Sequence, residues 1–342
     1  DGSVTPCCVM PSNRFPMGSN IKEYLEGSEL AEVKSYLTKG LKHPNCEWCW
    51  DNERHGLKSH RATNSISKSI THIHLRLNNV CNFKCRMCNP NFSSSWEIEN
   101  KKHKYFKDQN TVKKDIFLDN EYLFDLLKTN ISNGTLEFIN ISGGEPLITD
   151  AHWKLLTFLI DNKLTDVSLA YSTNLSNLHY KNVNLLDLWK QFKNVTLEAS
   201  VDGWGPSIEY SRTGFKRETF LHNLSQVIHK VNVDINCVVN VYSVWTLPEV
   251  EKFRNRLGCK IIYSPCYLPE MLNPQRLLPS DKKDLYNLYK GNKHLERVYD
   301  NFIANDLPTL GRELVDYNLM LDSYRGTNFF EVFPQYRKYM VL

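Results

Sequence analysis

Residues 80–90 read Val80-Cys81-Asn82-Phe83-Lys84-Cys85-Arg86-Met87-Cys88-Asn89-Pro90, with three cysteines spaced C-x3-C-x2-C directly after an alternating, strand-like run. Three thiolates on one short loop can hold three corners of a cubic four-iron cluster and leave the fourth iron open to an exogenous ligand, whereas a structural zinc site takes four closed ligands. The chain has 10 cysteines in 342 residues, bunched at Cys7-Cys8, Cys46/Cys49 and Cys81/Cys85/Cys88. In a chain with abundant core residues, such bunching favours metal over a disulfide framework. Cys237, Cys259 and Cys266 stand alone.

Working outward, Thr71 to Leu77 alternates as a strand, with Ile73, Leu75 and Leu77 on one face and His72, His74 and Arg76 on the other. A closed barrel fills its interior with apolar chains. Polar residues at alternate positions of several strands instead predict an open, incomplete barrel whose inner face lines a cleft, with the histidines as cleft lining. Glu121 to Ile131 reads as a helix, and Leu136 to Ile141 as a strand that runs into Ser142-Gly143-Gly144-Glu145-Pro146. Glycines and a carboxylate at the C-terminal edge of a strand lie where ligands of α/β proteins sit, although turns favour the same residues.

The rhythm repeats. Asp150 to Asn162 is an amphipathic helix, and Val167 to Asn174 alternates as a strand. Val195 to Gly203 follows, with Glu198, Ser200 and Asp202 pointing together into the cleft. Along Val231 to Tyr242, Cys237 faces the covering helices as a core thiol. Asp234, Asn236, Val238, Asn240 and Tyr242 are expected inward. Lys260 to Tyr263 is the last barrel strand, with Cys259 before it as packing. This is α/β construction, a partial (β/α)6 TIM-like barrel, and 342 residues allow one such barrel plus appendages.

Together, the cysteine spacing and the later Gly-Gly-Glu-Pro at a strand end resemble the radical S-adenosylmethionine (radical SAM) superfamily. The resemblance implies that Cys81, Cys85 and Cys88 hold a 4Fe-4S cluster, and that S-adenosylmethionine places its methionyl ammonium at Gly143, Gly144, Glu145 and Pro146. By the same resemblance Ser172 and Asn174 meet the ribose and the methionyl carboxylate. Ser200 and Asp202 match Ser-x-Asp-Gly, Arg212 pairs its fork with the cofactor carboxylate, and Asn240 touches adenine or substrate. The implied chemistry is reductive cleavage to a 5′-deoxyadenosyl radical that takes hydrogen from the substrate, fed by a flavodoxin- or ferredoxin-type electron donor.

The first 65 residues carry Pro6-Cys7-Cys8, a helix-like run with Ile21, Leu25, Leu30, Val33 and Leu37 on one face, Gly40 as its stop, then Cys46-x-x-Cys49. The residues alone leave a zinc ribbon open. The arrangement Asp1-Gly2-Ser3-Val4-x-x-Cys7-Cys8, Pro44-x-Cys46-x-x-Cys49 and a tail through Gly56-Leu57-Lys58 resembles the SPASM/twitch module, which implies a second, auxiliary iron–sulfur cluster on Cys7, Cys8, Cys46 and Cys49. It precedes the barrel, as in a twitch subgroup associated with peptide-modifying enzymes. The expected domains are 1–65 (cysteine-rich twitch-like module), 66–268 (barrel) and 269–342 (C-terminal helical cap across the open barrel edge). The cap helices are read from Leu285, Leu288 and Tyr289, then Leu295, Val298 and Phe302, then Leu314, Tyr317 and Leu321.

Hydrophobic residues make up 41% and charged residues 23%, with a formal net charge of +4. These values describe a folded protein and make no demand for nucleic acid or membrane. No apolar run reaches a membrane span and the opening lacks signal-peptide regions, so the cytoplasm is expected. Asn91 to Asn110, with Phe92, Trp96, Tyr105, Phe106 and Lys101-Lys102-His103-Lys104, could stack bases and bind phosphates. A solvated helix or lid beside the cleft is the preferred reading. Cys266, just past the last strand, sits at the rim of the cluster loop, as a hydrogen-atom donor, an extra ligand for the N-terminal cluster, or a buried thiol. The expected substrate is a peptide, epimerised or oxidised. The alternatives are a small molecule or sugar, or a non-catalytic zinc-cysteine module.

Overall fold

The computed structural model describes residues 4–7, 21–54, 59, 61–62, 69–105 and 120–341. Six strands, β1 (His72–Arg76), β2 (Phe138–Ser142), β3 (Ser168–Thr173), β4 (Asn194–Ser200), β5 (Asn232–Val239) and β6 (Ile261–Pro265), form one sheet. They lie side by side in chain order and every pairing is parallel. The sheet is curled into a half-barrel with helices around it, the partial TIM-like α/β fold expected. Parallel neighbours need crossovers, and these are supplied by helices such as Asp150–Asp161, Arg217–Val227 and Leu247–Leu257.

Register puts apolar residues opposite apolar residues on the helix-facing side: Leu75 against Ile141, Tyr171 against Leu197, Ala199 against Ile235. On β5, Val233, Ile235, Cys237 and Val239 are buried while the residues between them are partly exposed or open. The period-two pattern therefore positions the concave face as read, including Cys237 as a core thiol. Cys259 packs half-buried against the same core.

Three expectations change. The N-terminal helix is two helices, Ile21–Glu26 and Ser28–Thr38, broken at Gly27. Gly27 turns the chain so closely that a Cβ there would stand 2.8 Å from the Glu23 carbonyl oxygen. In the cap, Leu285 and Tyr289 are buried but Leu288 is exposed. The last long helix, Gly311–Arg325, also does more than cover an edge. It lies against the cluster loop, while the segment after it reaches the loop beyond β5, where the Tyr336 hydroxyl donates to the Val241 carbonyl over 2.6 Å. Among the described residues no helix is long and apolar enough to cross a membrane.

Candidate active site

The loop after β1 carries Cys81, Cys85 and Cys88. Lys84–Cys85 pairs antiparallel with Arg212–Thr213, and the Cys88 N–H donates to the Cys85 carbonyl at 2.9 Å. The three thiols are partly buried and lie within electrostatic reach of one another. Burial pushes Cys81 and Cys88 up to about 12, with Cys85 nearby adding to each shift, and burial also raises Cys85. Thiols held neutral by desolvation, on one loop and without closed partners, fit a cluster that takes them as thiolates and releases their protons.

A run of serines clasps this loop. The Ser94 hydroxyl accepts from the Cys81 N–H, the Ser95 hydroxyl donates to the Cys81 carbonyl at 2.7 Å, and the Ser93 hydroxyl donates to the Phe83 carbonyl at 2.7 Å. Ser93 also caps helix Ser94–His103. Trp96 on that helix is fully buried, its indole N–H donating to the Cys85 carbonyl. It supports the cluster loop and offers no face for base stacking. Phe106 lies outside the described residues.

The glycine turn after β2 lies flush against the start of the cluster loop. Gly143 and Gly144 have φ of +90° and +52°, and a Cβ on Gly143 would come within 2.8 Å of the Asn78 carbonyl oxygen. On Gly144 it would run into the Val80 carbonyl, which accepts from the Glu145 N–H at 2.7 Å. Only glycine tolerates both the conformation and the approach.

Glu145 is 1% exposed. One carboxylate oxygen accepts from the Leu147 N–H and the Thr173 hydroxyl, the other from the Asn174 N–H at 2.6 Å. It thus joins the end of β2 to the end of β3, with Pro146 buried in the turn that follows. Asn174 reaches Asn82 of the cluster loop through its amide, 3.0 Å away. Burial raises the Glu145 carboxyl to about 7 against the pull of these hydrogen bonds.

Other expected cofactor contacts are engaged within the protein. Asp202 is buried and grips Arg212 in a two-pronged pair at 2.8 and 3.0 Å, while accepting from the Val238 N–H. Arg212 keeps one Nη1 toward Cys85 Sγ, at 3.8 Å. Asp202 and Arg212 therefore act as a unit beside the cluster loop. Asn240 is likewise engaged within the protein. It is fully buried past the end of β5, its amide donating to the Val238 carbonyl and its Oδ1 accepting from the Tyr242 and Ser243 N–H groups, so it shapes a turn. Tyr242 is likewise buried. Ser172 faces the cleft, donating to Glu198 at 3.1 Å, and Ser200 is partly exposed on the same face. His74 bonds Ser142 at 2.6 Å across β1 and β2. Asn140 and Asn236, also inward, each keep a buried Oδ1 without a partner among the described residues.

Cys266 is 4% exposed, with its S–H directed to the Leu268 carbonyl at 3.6 Å. Its thiol is raised to about 12 by burial and, secondarily, by Asp202, and it also lies within electrostatic reach of Tyr242 and Tyr317. In the N-terminal module Cys7 and Cys46 pack on Val33, and Cys46 is raised by burial and by its neighbours Cys49 and Cys7. The two separated motifs thus meet in space. Cys8 lies outside the described residues.

Sequence reading missed Arg86. It is fully buried between Cys85 and Cys88, its guanidinium 3.7 Å from the Tyr210 ring centroid and paired with Asp322 at 2.6 Å. The only signal was a charged residue inside the cysteine loop, with Asn318, Asp322 and Arg325 at helical i, i+4, i+7 spacing far downstream.

Comparison with known proteins matches residues 75–242 to the radical SAM superfamily. GTP 3',8-cyclase of Sulfurimonas denitrificans is 26% identical over 177 residues, 52% of this chain and 48% of that protein. The same-named protein of Campylobacter lari is 27% identical over 134 residues, 39% of this chain and 36% of that protein. The chain thus spans about half the length, or less, of the curated relatives it matches. Among solved structures, Streptococcus suis SuiB bound to precursor peptide SuiA is similar at 13% identity and a TM-score of 0.45, over 91% of this chain and 67% of that one. With the cluster loop, the glycine turn against it and the six-stranded half-barrel in place, Leu75 to Tyr242 is a radical SAM domain, and by it the chain belongs to the radical SAM superfamily.

Proposed function

We propose that this chain is a peptide-modifying radical SAM enzyme in which Cys266 returns a hydrogen atom to the substrate. When bound on Cys81, Cys85 and Cys88, the 4Fe-4S cluster and S-adenosylmethionine supply a carbon radical that takes a hydrogen atom from the substrate. The glycine turn and Glu145 receive the cofactor's methionyl ammonium, Ser172 and Asn174 its ribose and carboxylate, and the remaining Nη1 of Arg212 lies toward Cys85. Cys7, Cys46 and Cys49, with Cys8, hold an auxiliary cluster.

The observation that carries the reading is the place and state of Cys266. It follows β6 at the rim where the cluster loop stands, and burial keeps it as S–H, the form that can donate a hydrogen atom. The substrate carbon radical gains that atom, and the sulfur radical left behind is restored by one electron from a flavodoxin- or ferredoxin-type donor and one proton from water. A small-molecule substrate is the second reading, favoured by the similarity to GTP 3',8-cyclases. Against a triphosphate stand Glu198 and Asp234, side by side on the inner face of β4 and β5.

The test is turnover in heavy water with a precursor peptide encoded beside the gene, with GTP in a parallel reaction. One deuterium per epimerised residue is expected, because thiol protons exchange with water. Cys266→Ala should keep both clusters and 5′-deoxyadenosine formation but release no epimer. Normal turnover by this variant overturns the role of Cys266, its loss of iron makes Cys266 a ligand, and GTP-dependent product without a peptide product favours the second reading.

A further inference from the structure

The three carbonyls that follow one another through the middle of the cluster loop are each held by a side-chain donor. Arg325 Nη1 donates to the Lys84 carbonyl at 2.9 Å, Trp96 Nε1 to the Cys85 carbonyl at 2.7 Å, and the Tyr317 hydroxyl to the Arg86 carbonyl at 2.6 Å. Two of the three donors come from the helix Gly311–Arg325, more than 220 residues downstream.

The same helix holds Arg86 by its side chain. Its Nη1 donates to Asn318 at 3.1 Å, its Nη2 to Asp322 at 2.6 Å and to Thr327 at 2.8 Å, and its Nε to the Tyr210 carbonyl at 3.2 Å. Asp322 is itself ordered by the Tyr210 hydroxyl and by the Phe329 N–H. One turn further along, Arg325 grips Glu99 at 2.9 and 3.0 Å and lies 4.5 Å from the Trp96 ring centroid, and Glu99 also pairs with Lys84. A guanidinium buried to this degree stays only where its donors are met. The carbonyls of Lys84 and Arg86 and the Arg86 side chain are therefore held by a helix outside the matched domain, while Trp96, inside it, holds the Cys85 carbonyl between them.

We propose that the helix Gly311–Arg325 is a working part of the cluster site, with Tyr317, Asp322 and Arg325 as positioning residues that hold Lys84 to Arg86 so that Cys85 and Cys88 keep the spacing a cluster needs. Lys84 and Arg325 share the single carboxylate of Glu99 beside that loop, which leaves an excess positive charge there, whereas Arg86 is matched by Asp322. Positive charge beside a cluster favours its reduced, more negative form. The helix thus serves both retention and reduction potential.

The inference rests on the assignment of the cluster to the cysteine trio, and the experiment separates the two. Full-length protein reconstituted anaerobically is compared with Tyr317→Phe, Asp322→Asn and Arg325→Met. The readouts are iron content, midpoint potential and the electron paramagnetic resonance signal that changes on adding S-adenosylmethionine, since only a cluster with an open iron responds. The control is Asp281→Asn, which breaks the ion pair of a buried carboxylate with the more exposed Lys338 in the same C-terminal region, away from the loop.

Arg325→Met should lower the midpoint potential, and Asp322→Asn should lose most of the responsive signal. Tyr317→Phe, which removes one hydroxyl, should stay folded with an altered signal. Asp281→Asn should leave signal and potential as in the wild type. Wild-type signal and potential in folded Tyr317→Phe and Arg325→Met overturn the inference, as does an equal change in Asp281→Asn. If Asp322→Asn does not fold, the other two variants decide. No responsive signal in the wild type would instead refute the cluster assignment.

Discussion

Glu145 allows a sharp test because its burial and its hydrogen bonds oppose each other. Desolvation raises its carboxyl from 4.5 to about 7, although Thr173, Asn174 and Leu147 all donate to it. At about 1.4 kcal/mol per pH unit, the fold prefers the neutral acid to the carboxylate by about 3 kcal/mol. Because the folded value lies above the unfolded one, this contribution is fully present below pH 4.5 and is lost as pH rises through 7. The measurement is urea unfolding of reduced, cluster-free protein at a series of pH values, taken as the difference between wild type and Glu145→Gln, which cancels the other titrating groups. The difference should fall by about 3 kcal/mol across that window and then level off. A cation docking on the carboxylate reverses its preference, so S-adenosylmethionine binding to the cluster-loaded protein should release protons below pH 7 and tighten as pH rises to that point. A difference that is flat or rises with pH refutes the reasoning, because burial would then not dominate the site.

Gly144→Ala should spare secondary structure by circular dichroism but abolish the S-adenosylmethionine-responsive signal. Its positive φ alone costs about 1–2 kcal/mol, and the new Cβ drives Val80 and the cluster loop away. Replacing Cys81, Cys85 and Cys88 by alanine should remove one cluster's iron and all S-adenosylmethionine cleavage, and unchanged iron would defeat the assignment. Replacing Cys46 and Cys49 should spare the responsive signal, with zinc found at that site in the wild type supporting the ribbon reading. His152, fully buried and pushed down to about 3, carries the opposite sign to Glu145. Its stabilisation is present above pH 6.5 and is lost as pH falls toward 3, so His152→Leu should unfold less steeply in acid.

Much of this protein is legible from local pattern. Period two along β4 and β5 places their apolar residues against the helices, and the C-x3-C-x2-C loop and the glycine turn declare their chemistry because few residue types can serve there. A thiolate ligand must be cysteine, and a positive φ under a carbonyl must be glycine. The pairing of Asp202 with Arg212, the internal bonding of Asn240, the break at Gly27 and the clasp of Ser93, Ser94 and Ser95 belong to a different kind of information. Each depends on which partner the folded chain brings near, and aspartate, arginine, asparagine and serine satisfy many partners. Arg86 and Asp322 make the contrast clearest, since either alone reads as a surface charge. What the sequence by itself determined is the half-barrel and its cysteine loop. Tertiary structure alone decided that a helix near the chain's end holds that loop, because a buried guanidinium takes its meaning from the donors and acceptors that surround it, and these are set by long-range packing.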